Sequence, residues 1–240
     1  MNVLFIIKRI LFFLPSKLLT KNFKRKIKKV FTNIDTFGLS VTLIWRFYEI
    51  IYCLNPTYFK HTFFDESMID KYERSDKTKE YNSPYVAVPI YFLRIVNSFL
   101  KKYNLKNFTF IDFGSGAGRS LVFFRKSFKD VYGIEFYEKF KKFYQKNEFI
   151  LCDLREKNNF LFFKKNNENF ILFFFDPFDQ ELVEKILSCF ENENYITILI
   201  NYKELKNNSC RKIFEKRFKK ELRNIRVYTN ISKEDFEKLK

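Results

Sequence analysis

Histidine and paired cysteines are scarce in this chain, and their scarcity excludes two kinds of site. The only histidine is His61, and the four cysteines show no C-x-x-C spacing. Neither a histidine general base nor a histidine-bearing metal site is supported in the rest of the chain, and we predict no metal. Cysteines in apolar runs without a pairing pattern indicate reduced thiols and hence a cytoplasmic protein. The cysteines are Cys53, Cys152, Cys189 and Cys210.

A long uninterrupted apolar run is also missing at the N-terminus. Residues 3–14 are strongly apolar, but the Lys8–Arg9 pair interrupts them and Pro15 follows. A spanning helix needs about 20 apolar residues, and no small-residue cleavage site of a signal peptide is present. Residues 1–30 carry nine Lys or Arg and no acid. The segment therefore predicts either peripheral binding to an anionic membrane surface on the inner face or a helix packed on the domain.

Glycine is also rare in this chain, and most of the glycines are clustered in one short segment. Only five residues of 240 are glycine, and four of them lie between positions 114 and 133. Glycine is needed where the backbone turns tightly or a ligand approaches closely. Here the apolar run 108–113 precedes the loop Gly114-Ser115-Gly116-Ala117-Gly118, and a second apolar run ends at Glu135. This order predicts strand, glycine loop, helix, strand and acid, as in a nucleotide-type pocket.

The glycine spacing narrows the class of ligand. A nicotinamide or flavin site has the pattern G-x-G-x-x-G, but position 119, where the third glycine would stand, is Arg119. Asp112 precedes the loop by two residues, where a carboxylate would repel a pyrophosphate. The pocket therefore suits a cationic ligand that carries an amine.

These residues resemble the class I S-adenosylmethionine-dependent methyltransferases, whose first motif is an acid, a G-x-G-x-G loop and a helix. The resemblance covers roughly residues 81–230. It implies S-adenosylmethionine as the cofactor, with Asp112 contacting the methionine moiety and Glu135 the ribose. It also implies that the cofactor lies against the loop backbone at Gly114, Ser115, Gly116 and Gly118.

The same resemblance extends to two later strands. The run 149–152 ends at Asp153, followed by Leu154, which matches the strand whose terminal acid receives the adenine amino group; Asp153 could equally be a helix N-cap. The run 170–175 ends in Asp176-Pro177-Phe178. This triplet resembles the acid-Pro-Pro-aromatic signature of amino methyltransferases with one proline missing, and a plain turn is the alternative.

An upstream segment is a further candidate for the substrate side of the pocket. A subset of the family carries Tyr-x-Ser-Pro-Tyr ahead of the loop, as Tyr81 to Tyr85 stand here, with Arg119 following the last glycine. The resemblance implies that Tyr81 and Tyr85 line the pocket. A helix-entry turn would explain the same residues.

The elements together predict an α/β fold with a doubly wound, mostly parallel sheet and an α-helical N-terminal extension. We place the extension at 1–80, with a helix at 40–54, and the methyltransferase domain at 81–240. Helices are expected at 86–103, with Pro89 in the first turn, and at 180–190, and a strand at 195–200. The tail predicts a helix near 208–218 and a strand near 222–229, without a partner for a terminal antiparallel hairpin.

The expected function is methyl transfer, and the acceptor stays open between three alternatives. An amine of a protein lysine or a small molecule is favoured, because Asp176 could orient it and take its proton. A hydroxyl of a sugar or lipid-linked glycan at the membrane face is the second alternative, and a non-catalytic cofactor-binding module is the third. Nucleic acid is not predicted as a partner, because an A/T-rich genome would also enrich lysine, asparagine, isoleucine and phenylalanine.

Overall fold

The computed structural model describes residues 39–54, 87–155, 169–175, 179–206, 209–218 and 224–240. The helices are α1 (Leu39–Cys53), α2 (Ile90–Leu100), α3 (Arg119–Phe124), α4 (Gln180–Ser188) and α5 (Lys233–Glu237), with a 3₁₀ helix at Glu138–Phe143. The strands are β1 (Phe108–Phe113), β2 (Asp130–Glu135), β3 (Phe149–Leu151), β4 (Asn169–Phe175), β5 (Tyr195–Ile200), β6 (Arg211–Arg217) and β7 (Asn224–Thr229).

The strands in the described part of the chain form one seven-stranded sheet in the order β3-β2-β1-β4-β5-β7-β6. The first five strands of this order are parallel to their neighbours. Strand β7 runs antiparallel to both β5 and β6. The predicted doubly wound, mostly parallel sheet is confirmed, and the chain reverses its winding direction between β1 and β4, where such sheets bind ligands.

Both faces of the sheet are covered by apolar layers, as a parallel sheet requires. Strands β1 and β5 are buried along their whole length. On one face α2 packs with Phe110, Phe124 and Phe173, and on the other α4 packs with Phe113 and Phe174. The aromatic residues that are so abundant in this sequence therefore fill the two layers between sheet and helices.

The prediction for the C-terminal tail was wrong in two respects. Residues 211–217, expected to be helical, form β6, and β6 pairs antiparallel with β7 from Arg211–Thr229 to Arg217–Asn224. The hairpin partner predicted to be missing is therefore present. Charged residues occupy most of β6, and a register shift between Lys212 and Phe214 breaks the alternation of side chains. With few apolar residues and a bulge, the period of two that marks a strand is hidden.

The remaining boundaries differ from the expectations by smaller amounts. Helix α1 confirms the predicted helix at 40–54, whereas α2 is shorter than 86–103 and begins after Pro89. Pro89 is extended and occupies the N-cap rather than the first turn, which avoids an unsatisfied amide at the helix start. The predicted division near residue 80 lies outside the described residues. None of the described helices combines the length and apolarity needed to cross a bilayer.

Candidate active site

Two acids meet at the carboxyl edge of the central parallel strands. Asp112 is the fifth residue of β1 and Glu135 is the last residue of β2. Asp112 is in register with Gly133 of the neighbouring strand, so Glu135 lies two residues further toward the same edge. Both carboxyl groups are buried, and each lies beside the glycine loop that follows β1.

The glycine loop adopts a backbone that other residues avoid. Gly114, Gly116 and Gly118 have φ angles of 73°, 52° and 71°, in the left-handed region where a side chain is strained. The Gly114 amide donates to the Ile134 carbonyl at 2.9 Å and the Gly118 amide to the Ser115 carbonyl at 2.8 Å. The loop is therefore tied to the end of β2 and turns sharply into α3, which is what the sequence predicts.

Glu135 is held by the backbone around it. Its carboxylate accepts hydrogen bonds from the Gly116 amide at 2.9 Å, the Phe136 amide at 2.9 Å and the Tyr137 amide at 3.0 Å. Burial raises the pKa of Glu135, while these three amides and the Lys139 ammonium oppose that shift. An ionised carboxylate has about four acceptor positions, so Glu135 both closes the loop and keeps acceptor capacity for a ligand hydroxyl.

Asp112 is the second buried acid of the site, and burial raises its pKa as well. Its carboxylate accepts a hydrogen bond from the Ser120 hydroxyl at the start of α3. Burial raises the pKa of Asp112 to about 8, the Ser120 bond partly offsets this, and the negative charge of Glu135 adds to it. A positively charged ligand beside Asp112 would stabilise the ionised form. Two buried acids that both accept hydrogen bonds thus fit a cationic nucleoside rather than a nucleotide phosphate.

Tyr144 is a residue of this site that sequence reasoning missed. Its hydroxyl lies 2.6 Å from the Ser115 hydroxyl and donates to the Gly116 carbonyl at 2.7 Å. A β-carbon at Gly133 would lie 2.5 Å from both the Ser115 oxygen and the Tyr144 ring. Gly133 is therefore required for packing under the loop, and no sequence signal links Tyr144 to the loop because it follows an irregular 3₁₀ segment.

Arg119 has a structural partner that was also not predicted. Its guanidinium donates to the Glu49 carboxylate of α1 at 3.0 and 3.2 Å and to the Val88 carbonyl at 3.0 Å. Glu49 in turn accepts from the Ile90 amide at 2.9 Å, in the first turn of α2. The arginine that follows the last loop glycine thus joins three helices. A buried arginine implies an acid nearby, but the sequence does not identify which one.

Asp153 lies just beyond β3, which ends at Leu151 rather than at the acid. Its carboxylate accepts hydrogen bonds from the Arg155 amide at 3.1 Å and the Arg155 side chain at 2.8 Å, and this side chain lowers the pKa of Asp153. The neighbouring Leu154 is buried. The predicted contact of Asp153 and Leu154 with adenine stays a prediction.

The predicted substrate-side residues lie outside the described residues. They are Tyr81, Tyr85, Asp176, Pro177 and Phe178. Strand β4 ends at Phe175, one residue before Asp176. Within the described ranges, no group of three histidine, cysteine or acidic side chains is placed to hold a metal ion.

The order of the strands decides the fold. A parallel sheet with a glycine loop after β1, an acid at the end of β2 and an antiparallel β7 inserted between β5 and β6 is a specific combination. The fold is that of the class I S-adenosylmethionine-dependent methyltransferases. The predicted fold class is therefore confirmed, and the terminal antiparallel hairpin, which the sequence predicts to lack a partner, is present.

Comparisons with known proteins find only distant structural matches. No protein-family model matches the chain, and no curated protein matches it in sequence. Solved structures that match include a SAM-dependent methyltransferase from Aquifex aeolicus, with 16% identity, a TM-score of 0.38 and coverage of 69% of this chain and 98% of that one. Another is the magnesium protoporphyrin IX methyltransferase from Synechocystis, with 15% identity, a TM-score of 0.41 and coverage of 69% and 96%.

Proposed function

We propose that this chain is an S-adenosylmethionine-dependent methyltransferase. The observation that carries the proposal is the meeting of Asp112 and Glu135 at one edge of the sheet, on either side of a loop with three left-handed glycines. The raised pKa of Asp112 marks a buried acid without sufficient positive charge around it. A cofactor with an ammonium and two ribose hydroxyls complements both acids.

Each residue of the site has a definite task in this proposal. When bound, S-adenosylmethionine supplies a methyl group that its sulfonium already makes electrophilic. Asp112 binds the ammonium of the methionine moiety, and Glu135 accepts from the ribose hydroxyls. The loop glycines leave the backbone open for close approach. The protein then has to orient the acceptor and exclude water, and orientation can lower a barrier by roughly 7–11 kcal/mol.

Titration calorimetry with S-adenosylmethionine tests the cofactor assignment. We expect wild-type protein to bind and Glu135→Gln to bind about 30-fold more weakly, because the amide loses the charge that strengthens hydrogen bonds to the ribose. The matched control is Glu138→Gln, which removes an exposed acid three residues further along the chain and should leave the affinity unchanged. Absence of binding by the folded wild-type protein would refute the enzyme assignment.

For the acceptor, we propose an amine, held by Asp176 with Pro177 and Phe178. The support is the sequence Asp-Pro-Phe directly after β4, the strand next to β1 in the sheet. The Asp176 carboxylate would orient the nitrogen lone pair and accept the amine proton, while Phe178, Tyr81 and Tyr85 exclude water. A hydroxyl acceptor would require a stronger base, for which the sequence offers no candidate.

Replacing Asp176 with alanine separates a substrate role from a structural turn. We expect turnover to fall about 100-fold or more while the affinity for S-adenosylmethionine stays the same, because Asp176 contacts the acceptor and not the cofactor. Turnover is measured as radiolabelled methyl transfer to protein, lipid and small-molecule fractions of a cell extract. Asp179→Asn is the control, because it removes a charge three residues away and asparagine can still cap α4, where Asp179 now accepts from the Leu182 amide at 2.8 Å. Unchanged turnover in Asp176→Ala would contradict the proposal.

A further inference from the structure

Helix α1, together with Leu54 directly after it, presents an apolar face to solvent from Leu43 onward. The exposed residues recur at the spacing i, i+1, i+4, i+7, i+8 and i+11, which places them on one side of an α-helix. Their exposed fractions lie between 43% and 78%. A continuous apolar face of this kind marks an interaction surface, whereas single exposed apolar residues do not. The face consists of Leu43, Ile44, Phe47, Ile50, Ile51 and Leu54.

The opposite side of α1 packs against α2 and α3, so the apolar face cannot turn toward the protein interior. Glu49 pairs with Arg119 and accepts from the α2 backbone. The Trp45 ring lies 5.9 Å from the ring of Phe92 in α2, and the ring of Tyr52 stacks on that of Phe123 in α3 at 6.0 Å. These contacts fix the rotation of the helix about its own axis.

Two positively charged side chains flank the face in the described part of the chain. At 100° per residue, Arg46 lies at one border of the face and Tyr48 at the other. Arg46 is half-buried, and its guanidinium lies 5.6 Å from the centre of the Trp45 ring. The exposed Arg94 of α2 places its guanidinium over the Tyr48 ring at 4.3 Å. The only acid of the helix, Glu49, points to the opposite side. Residues 1–30, with nine basic residues and no acid, precede α1 in the chain.

We propose that the apolar face of α1 docks onto an anionic lipid surface, with the helix lying in the plane of the interface. Apolar residues between basic borders are the pattern of helices that bind there, and long arginine side chains can reach the headgroups from the edges of the face. The net charge of the chain favours an anionic lipid surface over a second copy of the chain as the binding partner of this face. At a net charge of +17, two copies repel each other, whereas an anionic bilayer attracts the protein.

Vesicle co-sedimentation of the full chain tests this surface. The vesicles contain phosphatidylcholine and phosphatidylglycerol at 3:1. We expect Ile50→Ser to weaken binding about tenfold and the double variant Phe47→Ser/Ile50→Ser about 50-fold, because each loses buried apolar area in the interface. The matched control is Leu151→Ser, which removes a side chain of similar exposure, 54% against 62%, from β3. Its binding should equal that of the wild type.

The position of the helix can be read from a fluorophore placed on its apolar face. Trp45 is the only tryptophan of the chain but lies on the side of α1 that packs on Phe92, so the variant Trp45→Phe/Phe47→Trp moves the fluorophore onto the apolar face. Quenching of its emission by brominated lipids then places α1, rather than residues 1–30, at the bilayer. Quenching in this variant and its loss when Ile50→Ser is added would support the proposal. Equal binding by all variants would overturn it. A monomer–dimer change in sedimentation that depends on Phe47 would assign the face to contact with a second copy of the chain. A lower melting temperature of the Phe47→Ser/Ile50→Ser variant would show that another segment of the same chain packs on the face. Either result would overturn the lipid assignment.

Discussion

Asp112→Asn is expected to weaken S-adenosylmethionine binding about 100-fold while making the unliganded protein more stable. The binding loss follows from removing a charged acceptor for the cofactor ammonium, since hydrogen bonds to charged groups contribute about 1.5–3 kcal/mol. The gain in stability follows from removing a buried acid that is costly to ionise. Opposite effects on binding and stability distinguish a ligand-binding acid from a structural one.

The effects of Asp112→Asn on stability and on cofactor affinity both depend on pH, in opposite directions. The pKa of Asp112 is raised from 3.8 to about 8 in the folded protein, so the unfolded chain loses this proton first as the pH rises. Between about pH 4 and pH 8 the wild type therefore loses stability relative to Asp112→Asn, by up to about 1.4 kcal/mol per pH unit. Cofactor affinity of the wild type changes in the opposite direction, because the ionised form binds the ammonium, and it should rise up to tenfold per pH unit between pH 6 and 7.

Calorimetry and thermal melts at pH 5, 6, 7 and 8 measure both effects. The control is Asp130→Asn at the other end of β2, which should change neither the affinity for S-adenosylmethionine nor its pH dependence. A difference in melting temperature between Asp112→Asn and the wild type that stays constant from pH 5 to pH 8 would contradict the burial of an uncharged Asp112. Wild-type affinity retained in Asp112→Asn would contradict its contact with the cofactor.

Glu49→Gln is expected to lower the free energy of unfolding by about 2–3 kcal/mol, because removing one partner of a buried ion pair leaves the other charge uncompensated. The Arg119 side chain is only 5% exposed and that of Glu49 17%, so solvent screens the pair little. Glutamine still offers an oxygen to the Ile90 amide, so the loss reports the charge rather than the cap. Chemical denaturation, together with the melting temperature, measures the change.

A surface pair provides the control for this prediction. Glu204→Gln removes an acid that pairs with Lys212 at 2.5 Å but is largely exposed to solvent, and pairs of this kind contribute little to stability. The unfolding free energy of Glu204→Gln should match that of the wild type. If Glu49→Gln were equally harmless, Arg119 would not depend on Glu49, and the attachment of α1 to the glycine loop would have to rest on its aromatic contacts alone.

The sequence predicts the parts of this molecule that local chemistry dictates. The glycine loop could be predicted because Gly114, Gly116 and Gly118 need a backbone that other residues avoid. The acids could be predicted because Glu135 ends one apolar run and Asp112 interrupts another just before the loop. β6 could not be predicted, because pairing with β7 stabilises a strand whose own sequence is charged and bulged. Glu49 and Tyr144 reach the loop through tertiary contacts between positions 28 to 70 residues apart, which no local pattern encodes.

The two edge strands of the sheet also affect the tendency of the protein to aggregate at high concentration. Among the described strands, one edge of the sheet is β3, with only three residues, and the other is β6, in which Lys212, Glu215, Lys216 and Arg217 outnumber the apolar side chains. The unpaired backbone groups of an edge strand can pair with strands of neighbouring molecules. Short strands, bulges and lysine side chains make this pairing less favourable. We therefore expect the charged strand β6 to protect this phenylalanine-rich protein from fibril-like aggregation.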